Sequence, residues 1–245
     1  MIQVLDRAFA ILEYLSAEKG EGVTLSKIEQ ACSIRKTTLS NILKSLEELG
    51  YVSHPAKRKG YSLGYKAFSL AGPKYIFDKL TEVSRDEMKL LSDVFSETVV
   101  LASLREARRV VLSVLECKEG ITAHISHSED VYMSATGRVM LAYSSPHAAE
   151  AIIGQAGLPS EEAWAGISTQ EALRSALAQI CAERVAITTD HKEIVGIAVP
   201  VLVAGQVVGA IGVCIPRFRC TTGKTTLIFN VLEECANSIG NKFLL

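Results

Sequence analysis

No C-x-x-C pair, no G-x-S-x-G motif and no internal repeat occurs in this 245-residue chain. Each absence removes a class of protein. The six cysteines (Cys32, Cys117, Cys181, Cys214, Cys220 and Cys235) are scattered. A chain this long buries enough apolar surface to fold without disulfide staples, so they read as reduced, intracellular thiols. There is no nucleophile elbow and no evident Cys–His or Ser–His pairing, so no motif here signals nucleophilic catalysis. Cys117 and Cys214 read as core residues. Gly223-Lys224-Thr225 ends like a phosphate-binding loop, but Phe218 stands where that loop needs its first glycine. His124 and His127 have H-x-x-H spacing, yet a strand there would point them to opposite faces, so no metal is expected. No excess charge of either sign exists: the net charge is −1, so any site for a polyanion must be local. Asp6, Arg7 and Glu13 interrupt the apolar N-terminal stretch, which argues against a secretory signal.

Charge is also missing from Ile194 to Ile215. A membrane-spanning helix needs about 20 apolar residues, so length alone would permit one. Pro200, Gly196, Gly205, Gly209 and Gly212 interrupt the run, and valine and isoleucine fill the rest. Two buried strands joined at Ala204-Gly205-Gln206 fit better than a membrane segment.

What is present is globular composition, 48% apolar and 22% charged. At roughly 150 residues per domain the length admits one large domain or two small ones. Val4, Leu5, Ala8, Ile11, Leu12 and Leu15 recur at helical spacing and form one face. Gly20-Glu21-Gly22 breaks the pattern. Thr24 then caps a short helix that buries Leu25, Ile28 and Ala31. After the tight connection Ser33-Ile34, a third helix runs from about Lys36 to Leu49 and stops at Gly50, a residue suited to a left-handed cap. Its apolar stripe is Leu39, Ile42, Leu43, Leu46 and Leu49. Thr37, Ser40, Asn41 and Lys44 share the opposite face. Two strand-like pieces, Gly50–Val52 and Gly60–Leu63, flank the basic loop Ser53–Lys59. That order is the outline of a winged helix-turn-helix.

From Tyr65 to about Lys79 the pattern is helical but broken at Gly72-Pro73, the natural domain boundary. A helix from Ser84 to Phe95 carries Met88, Leu91, Val94 and Phe95. Strands are expected at Thr98–Ser103, Val110–Leu115 and Ile121–Ile125, the first two flanking a charged turn, Arg105–Arg108. Helices follow at Thr136–Ser144 and Ala148–Ile153, and a third begins at the capping box Ser168–Glu171 and runs to Cys181. A strand at Val185–Thr188, the uncharged hairpin and a closing helix from about Thr225 to Phe243 complete an α+β chain. Trp164, the single tryptophan, lies in a polar loop and carries no signal of its own.

Between residues 35 and 66 there are seven basic residues (Arg35, Lys36, Lys44, Lys57, Arg58, Lys59 and Lys66) against two acidic ones, Glu47 and Glu48. A charge run is usually a solvated surface. Here it coincides with an exposed Thr/Ser/Asn helix face and a hairpin tip. Phosphates reward such an arrangement through counterion release, while short polar side chains reach base edges.

The chain resembles the isocitrate-lyase-regulator (IclR) family of bacterial transcription factors over nearly its full length. VLDRAFAILEYL, VTLSKIEQACSIRKTTLSNILKSLEELGYV and YSLG carry the resemblance at the N-terminus. ETVVLASL, VLECKEG, SATGRVMLA, AITTDHKEIVGIAVPVLV and VVGAIGVCIPRFR carry it beyond. It implies a winged helix-turn-helix over 1–64, a linker helix over 65–80, and an effector-binding and oligomerisation domain over 81–245. The last is an antiparallel sheet with helices, GAF/profilin-like. A cytoplasmic repressor or activator is implied, bound to a palindromic double-stranded operator as a homodimer or dimer of dimers, without cofactor or membrane, and answering to a small organic acid. By position, Arg35, Lys36, Thr37, Thr38, Ser40, Asn41 and Lys44 would face the major groove or its flanking phosphates, and Lys57, Arg58 and Lys59 would form the wing. The effector pocket would take Ala123, Met133, Ser134, Ala135, Thr136, Asp190, Gly196, Gly212 and Cys214. Ser134-Ala135-Thr136-Gly137 opens a helix whose free N–H groups and positive end suit a carboxylate. Asp190 would accept from a hydroxyl or hydrated carbonyl.

The sequence departs from the family pattern in three places. Asp130-Val131-Tyr132-Met133 stands where Leu-Pro-Leu is usual. The segment after Asp190, with His191 and Glu193, is about two residues short. Gly212 and Cys214 replace positions that are often polar, which implies a less polar effector. The competing class is a small-molecule sensor or enzyme whose N-terminal helices serve only dimerisation.

Overall fold

The computed structural model describes residues 2–18, 22–54, 60–70, 72–117, 125–190 and 193–244. Contacts gather these into two compact units, Met1–Asp78 with Asn241–Leu245, and Lys79–Gly240.

The first unit opens with α1 (Gln3–Ala17), α2 (Leu25–Cys32) and α3 (Lys36–Glu48). Ile11, Leu15, Val23, Ile28, Ile34, Leu39, Ile42, Leu43, Leu46 and Val52 make its core. The apolar stripe of α3 is buried except Leu49, which sits at the helix end and is exposed. Ala31 on α2 is also exposed. On α1 the expected apolar face buries only in its second half. Val4 and Leu5, with Ile2 and Phe9, are exposed, because this small core is reached only from the third turn onward. Ser33, at φ 53°, turns the chain between α2 and α3. Thr24 stands at the start of α2 but makes no side-chain capping bond. β1 (Val52–Ser53) pairs antiparallel with β2 (Ser62–Leu63), and Val23 bridges to Tyr61. Two helices occupy the expected linker, α4 (Tyr65–Ser69) and α5 (Pro73–Val83), with Gly72 between them at φ +85°. The boundary between the two units falls at Asp78, inside α5, and the last five residues group with the first unit. Leu80 is fully buried against Gly209 of the second unit's sheet, which places the end of α5 there.

The second unit continues with α6 (Arg85–Phe95), β3 (Thr98–Arg105), β4 (Arg108–Leu115) and β5 (Ser128–Asp130). Then come α7 (Ala135–Tyr143), α8 (Pro146–Ala156), α9 (Gln170–Glu183), β6 (Ala186–Thr189), β7 (Ile194–Val203), β8 (Gln206–Pro216) and α10 (Thr222–Phe243). The sheet order is β5-β4-β3-β8-β7-β6, antiparallel throughout. The uncharged run is the β7–β8 hairpin. Ala204 (φ 49°) and Gly205 (φ 78°) make its two-residue turn, both in the left-handed region that matches strand twist. None of the described helices is long and apolar enough to cross a membrane.

α7 packs on one face of the sheet through Ala135, Val139 and Met140 against Ala102, Ala198 and Ala210. α6 covers the other face at β3 with Met88, Leu91 and Phe95 buried, while Val94 is exposed. Glu97, only 2% exposed, holds the chain after β8: Arg219 Nη2 and Lys224 Nζ donate to its two oxygens at 2.7 and 3.0 Å. Lys224 is thus a structural counter-ion. α9 is capped by Thr169, whose Oγ1 accepts from Ala172 N–H at 3.1 Å, one residue later than the capping box places it. The strand expected at Ile121–Ile125 falls largely outside the described residues, as does His124. The strand pairing with β4 there is Ser128–Asp130.

Candidate functional site

Two surfaces have the geometry to bind something, one in each unit. In the first, Arg35 precedes α3, and the helix alternates a buried leucine stripe with an outward polar one. Arg35, Lys36, Thr37, Ser40, Asn41 and Lys44 are exposed and Thr38 is half-buried. Burial of Leu39, Ile42, Leu43 and Leu46 fixes this orientation, because turning the helix would expose four core side chains. Lys44 Nζ lies 4.0 Å from Glu48 Oε1 with both side chains largely solvated, a pairing too weak to occupy the lysine. The side chains left outward are short hydrogen-bonding groups bordered by cations, the set that reads base edges and grips phosphates. Lys57, Arg58 and Lys59 lie outside the described residues. On the described flank of that loop, His54 stacks on Tyr61, 4.3 Å between ring centres.

In the second unit a cavity of about 260 Å³ lies over the α7 side of the sheet. Met133, Ser134, Ala135, Thr136, Asp190, Gly196, Gly212 and Cys214 line it. Ala123 lies outside the described residues. Val100, Ile194, Ile197, Ala198 and Val213 supply apolar wall. Sequence reasoning missed Arg109 and Glu129, the charged pair that also lines it.

Local structure explains each wall. Ser134 caps α7: its Oγ accepts from Gly137 N–H at 3.3 Å and lies 3.3 Å from Thr136 Oγ1. The N–H groups of Ala135 and Thr136 begin the helix and have no acceptor within it, so the positive end of α7 faces the cavity. Gly137 is glycine because a Cβ there would overlap the Val131 carbonyl oxygen. Arg138 pins the same turn. Its Nε donates to Tyr132 O at 2.8 Å, its Nη2 donates to Ala163 O at 2.7 Å, and the guanidinium lies 4.1 Å over the Trp164 ring. Burial lowers the Arg138 pKa to about 10. Trp164 thus clamps the arginine that pins the turn leading into α7. Asp190 closes the β6–β7 turn, Oδ1 accepting from Ile194 N–H at 2.9 Å.

Arg109, 3% exposed, stands opposite Glu129 in the β4–β5 register. Its Nη2 is ion-paired with Glu129 Oε1, and Nη1 donates to Ser126 O at 2.8 Å. Nε–H has no acceptor among the described residues. An unsatisfied buried donor costs about 1–3 kcal/mol.

Cys214 lines the cavity rather than filling core, and burial pushes its thiol up to about 12, with Glu129 and Asp190 adding to the effect and Arg109 opposing it. It is a poor nucleophile at neutral pH. Burial, then Asp130, raises Tyr132 to about 12 as well, and its hydroxyl donates to Gly157 O at 2.8 Å. Both groups are held neutral by the fold, so their contribution is complete below their ordinary pKa values of 9.0 and 10.0 and is lost as pH rises toward 12. Thermal melts are therefore expected to fall above pH 9, and Cys214→Ala is expected to flatten the first part of that fall. An unchanged slope in the variant would count against it.

Residues 78–241 match the model of the bacterial transcriptional regulator IclR C-terminal domain, and residues 4–55 match the IclR helix-turn-helix domain. The chain is similar to the HTH-type transcriptional regulator KdgR of Escherichia coli K12, 26% identical over 239 residues, which span 95% of this chain and 89% of that protein. It is similar to XynR of the same organism, 27% identical over 213 residues, 82% of this chain and 81% of that one. Among solved structures, the Thermotoga maritima IclR aligns over all of both chains with a TM-score of 0.61 at 20% identity. An IclR homolog from Microbacterium hydrocarbonoxydans, complexed with 4-hydroxybenzoate, aligns over 98% of each chain with a TM-score of 0.59 at 22% identity. At such identities the solved structures establish the fold.

Proposed function

The chain belongs to the IclR family of bacterial transcriptional regulators, with a helix-turn-helix DNA-binding domain and a C-terminal ligand-binding domain, and from that premise we propose which of its residues do the work. The outward face of α3 reads the major groove: Thr37, Ser40 and Asn41 toward base edges, Arg35, Lys36, Thr38 and Lys44 toward phosphates. Lys57, Arg58 and Lys59 form the wing. The observation that carries this is the exposure of a row of short polar side chains on the second helix of the motif, locked outward by its buried leucines.

The chain acts in the cytoplasm, as a regulator rather than an enzyme, on a palindromic operator and as a homodimer or dimer of dimers. Residues 1–64 serve as the DNA head, 65–80 as the linker and 81–245 as the effector and oligomerisation domain. Its effector is a small organic acid. The start of α7, with Ser134, Ala135 and Thr136, takes the carboxylate, and Met133, Asp190, Gly196, Gly212 and Cys214 complete the pocket with Ala123. The complex of the Microbacterium homolog with 4-hydroxybenzoate supports an acid of that size. Such a ligand changes operator affinity to the extent that it binds one arrangement of the oligomer better than another.

Fluorescence anisotropy with duplex DNA from the gene's own upstream region tests the DNA role. Each phosphate contact contributes a slope of about −0.9 in log affinity against log salt, so affinity should fall steeply with salt. Binding indifferent to salt, or none at any salt, would refute it.

A further inference from the structure

We propose that Arg109 and Glu129 form a specificity-determining pair that reads a hydroxyl group on the effector, selecting a hydroxylated monocarboxylic acid with an apolar body. This rests on the reading of the cavity as the effector site. In strand order, Arg109 and Glu129 stand on the β4–β5 side of the cavity. Thr188, Asp190 and Gly196 stand on the β6–β7 side, with Val100, Gly212 and Cys214 between them. After its first two residues β4 is aliphatic but for Ser113, so a buried arginine on its cavity face is a costly placement that packing alone does not ask for.

The guanidinium is nearly satisfied from within. Glu129 takes Nη2, and the Ser126 carbonyl takes Nη1. The remaining Nε–H finds no acceptor among the described residues. Donor and acceptor therefore stand side by side on one wall: a guanidinium N–H seeking an oxygen, and a carboxylate with lone pairs to spare. A hydroxyl complements both at once, accepting from Arg109 and donating to Glu129. A second carboxylate complements only the arginine. It would bring its charge against Glu129, and Asp190 is a further acid on the same cavity, with Arg109 the sole basic residue in the described lining. The apolar walls between suit a ring or short aliphatic body, and the α7 end supplies the carboxylate's partners. The polar groups absent at Gly212 and Cys214 are thus made up from β4 and β5.

Isothermal titration of the full chain with benzoate, 3-hydroxybenzoate, 4-hydroxybenzoate and terephthalate tests the pair. One hydroxybenzoate is expected to bind at least about tenfold tighter than benzoate, and terephthalate more weakly than either. In Arg109→Met/Glu129→Gln, which leaves no lone buried charge, the hydroxyl preference should shrink to within about threefold. Thermal melting checks that the double variant folds, and the unmutated chain's own discrimination decides the matter if it does not. Equal binding of benzoate and both hydroxybenzoates overturns the proposal while leaving the cavity as an acid site, as does a folded double variant that keeps the preference. If none of the four binds at millimolar concentration, the pair and the acid-site reading fall together.

Discussion

The Arg35→Glu/Lys44→Glu variant is expected to lose at least about a hundredfold in operator affinity at physiological salt. Both side chains lie on the solvent side of α3 or its threshold, and neither supports the core. On the proposed reading two cations that face phosphates become two anions, so each site loses an attraction and gains a repulsion, and in an oligomer every DNA head suffers both. The melting temperature should stay within a few degrees of the parent, since exposed charges contribute little to stability. Anisotropy titrations alongside circular dichroism melts separate the two effects. A folded variant with affinity within about threefold of the parent would move the DNA contact elsewhere on the head.

The second large effect concerns the cavity. Cys214→Phe puts a ring into a space of about 260 Å³ and should abolish the response of operator binding to any acid that acts through it. Overpacking of this kind costs about 1–3 kcal/mol, so the melt shifts without collapse and DNA binding persists. A variant that still releases or gains DNA when an effective acid is added would place the regulatory site outside this cavity.

Much of the molecule is legible from local pattern. The α3 stripe, the uncharged hairpin and the glycine turn at residues 204–206 each follow from periodicity and turn chemistry within a few residues. The small-residue turn at Ser134–Gly137 is equally local, since helix capping is settled within one turn. Arg109 and Glu129 escape that approach for a physical reason. Arg109 follows Arg108 at the end of a charged turn, and nothing in RRVV distinguishes the exposed arginine from the buried one. What separates them is the β4–β5 register, which sets Arg109 opposite Glu129 across twenty residues of chain. The roles of Trp164 and Lys224 are hidden likewise, because each depends on a partner distant in sequence, Arg138 and Glu97. The exposed Val4, Leu5 and Leu49 show the converse: helical periodicity marks an apolar face but does not say how far the core extends to meet it.

Photo-crosslinking to operator DNA tests the proposed readout most directly. Benzoylphenylalanine would be placed singly at Thr37, Ser40 and Lys44, with the exposed Asp93 on α6 as control. Ultraviolet-induced adducts with the duplex are expected at the three α3 positions and not at Asp93. DNA binding that persists with no adduct at any of the three would contradict the assignment of α3 as the element that enters the groove.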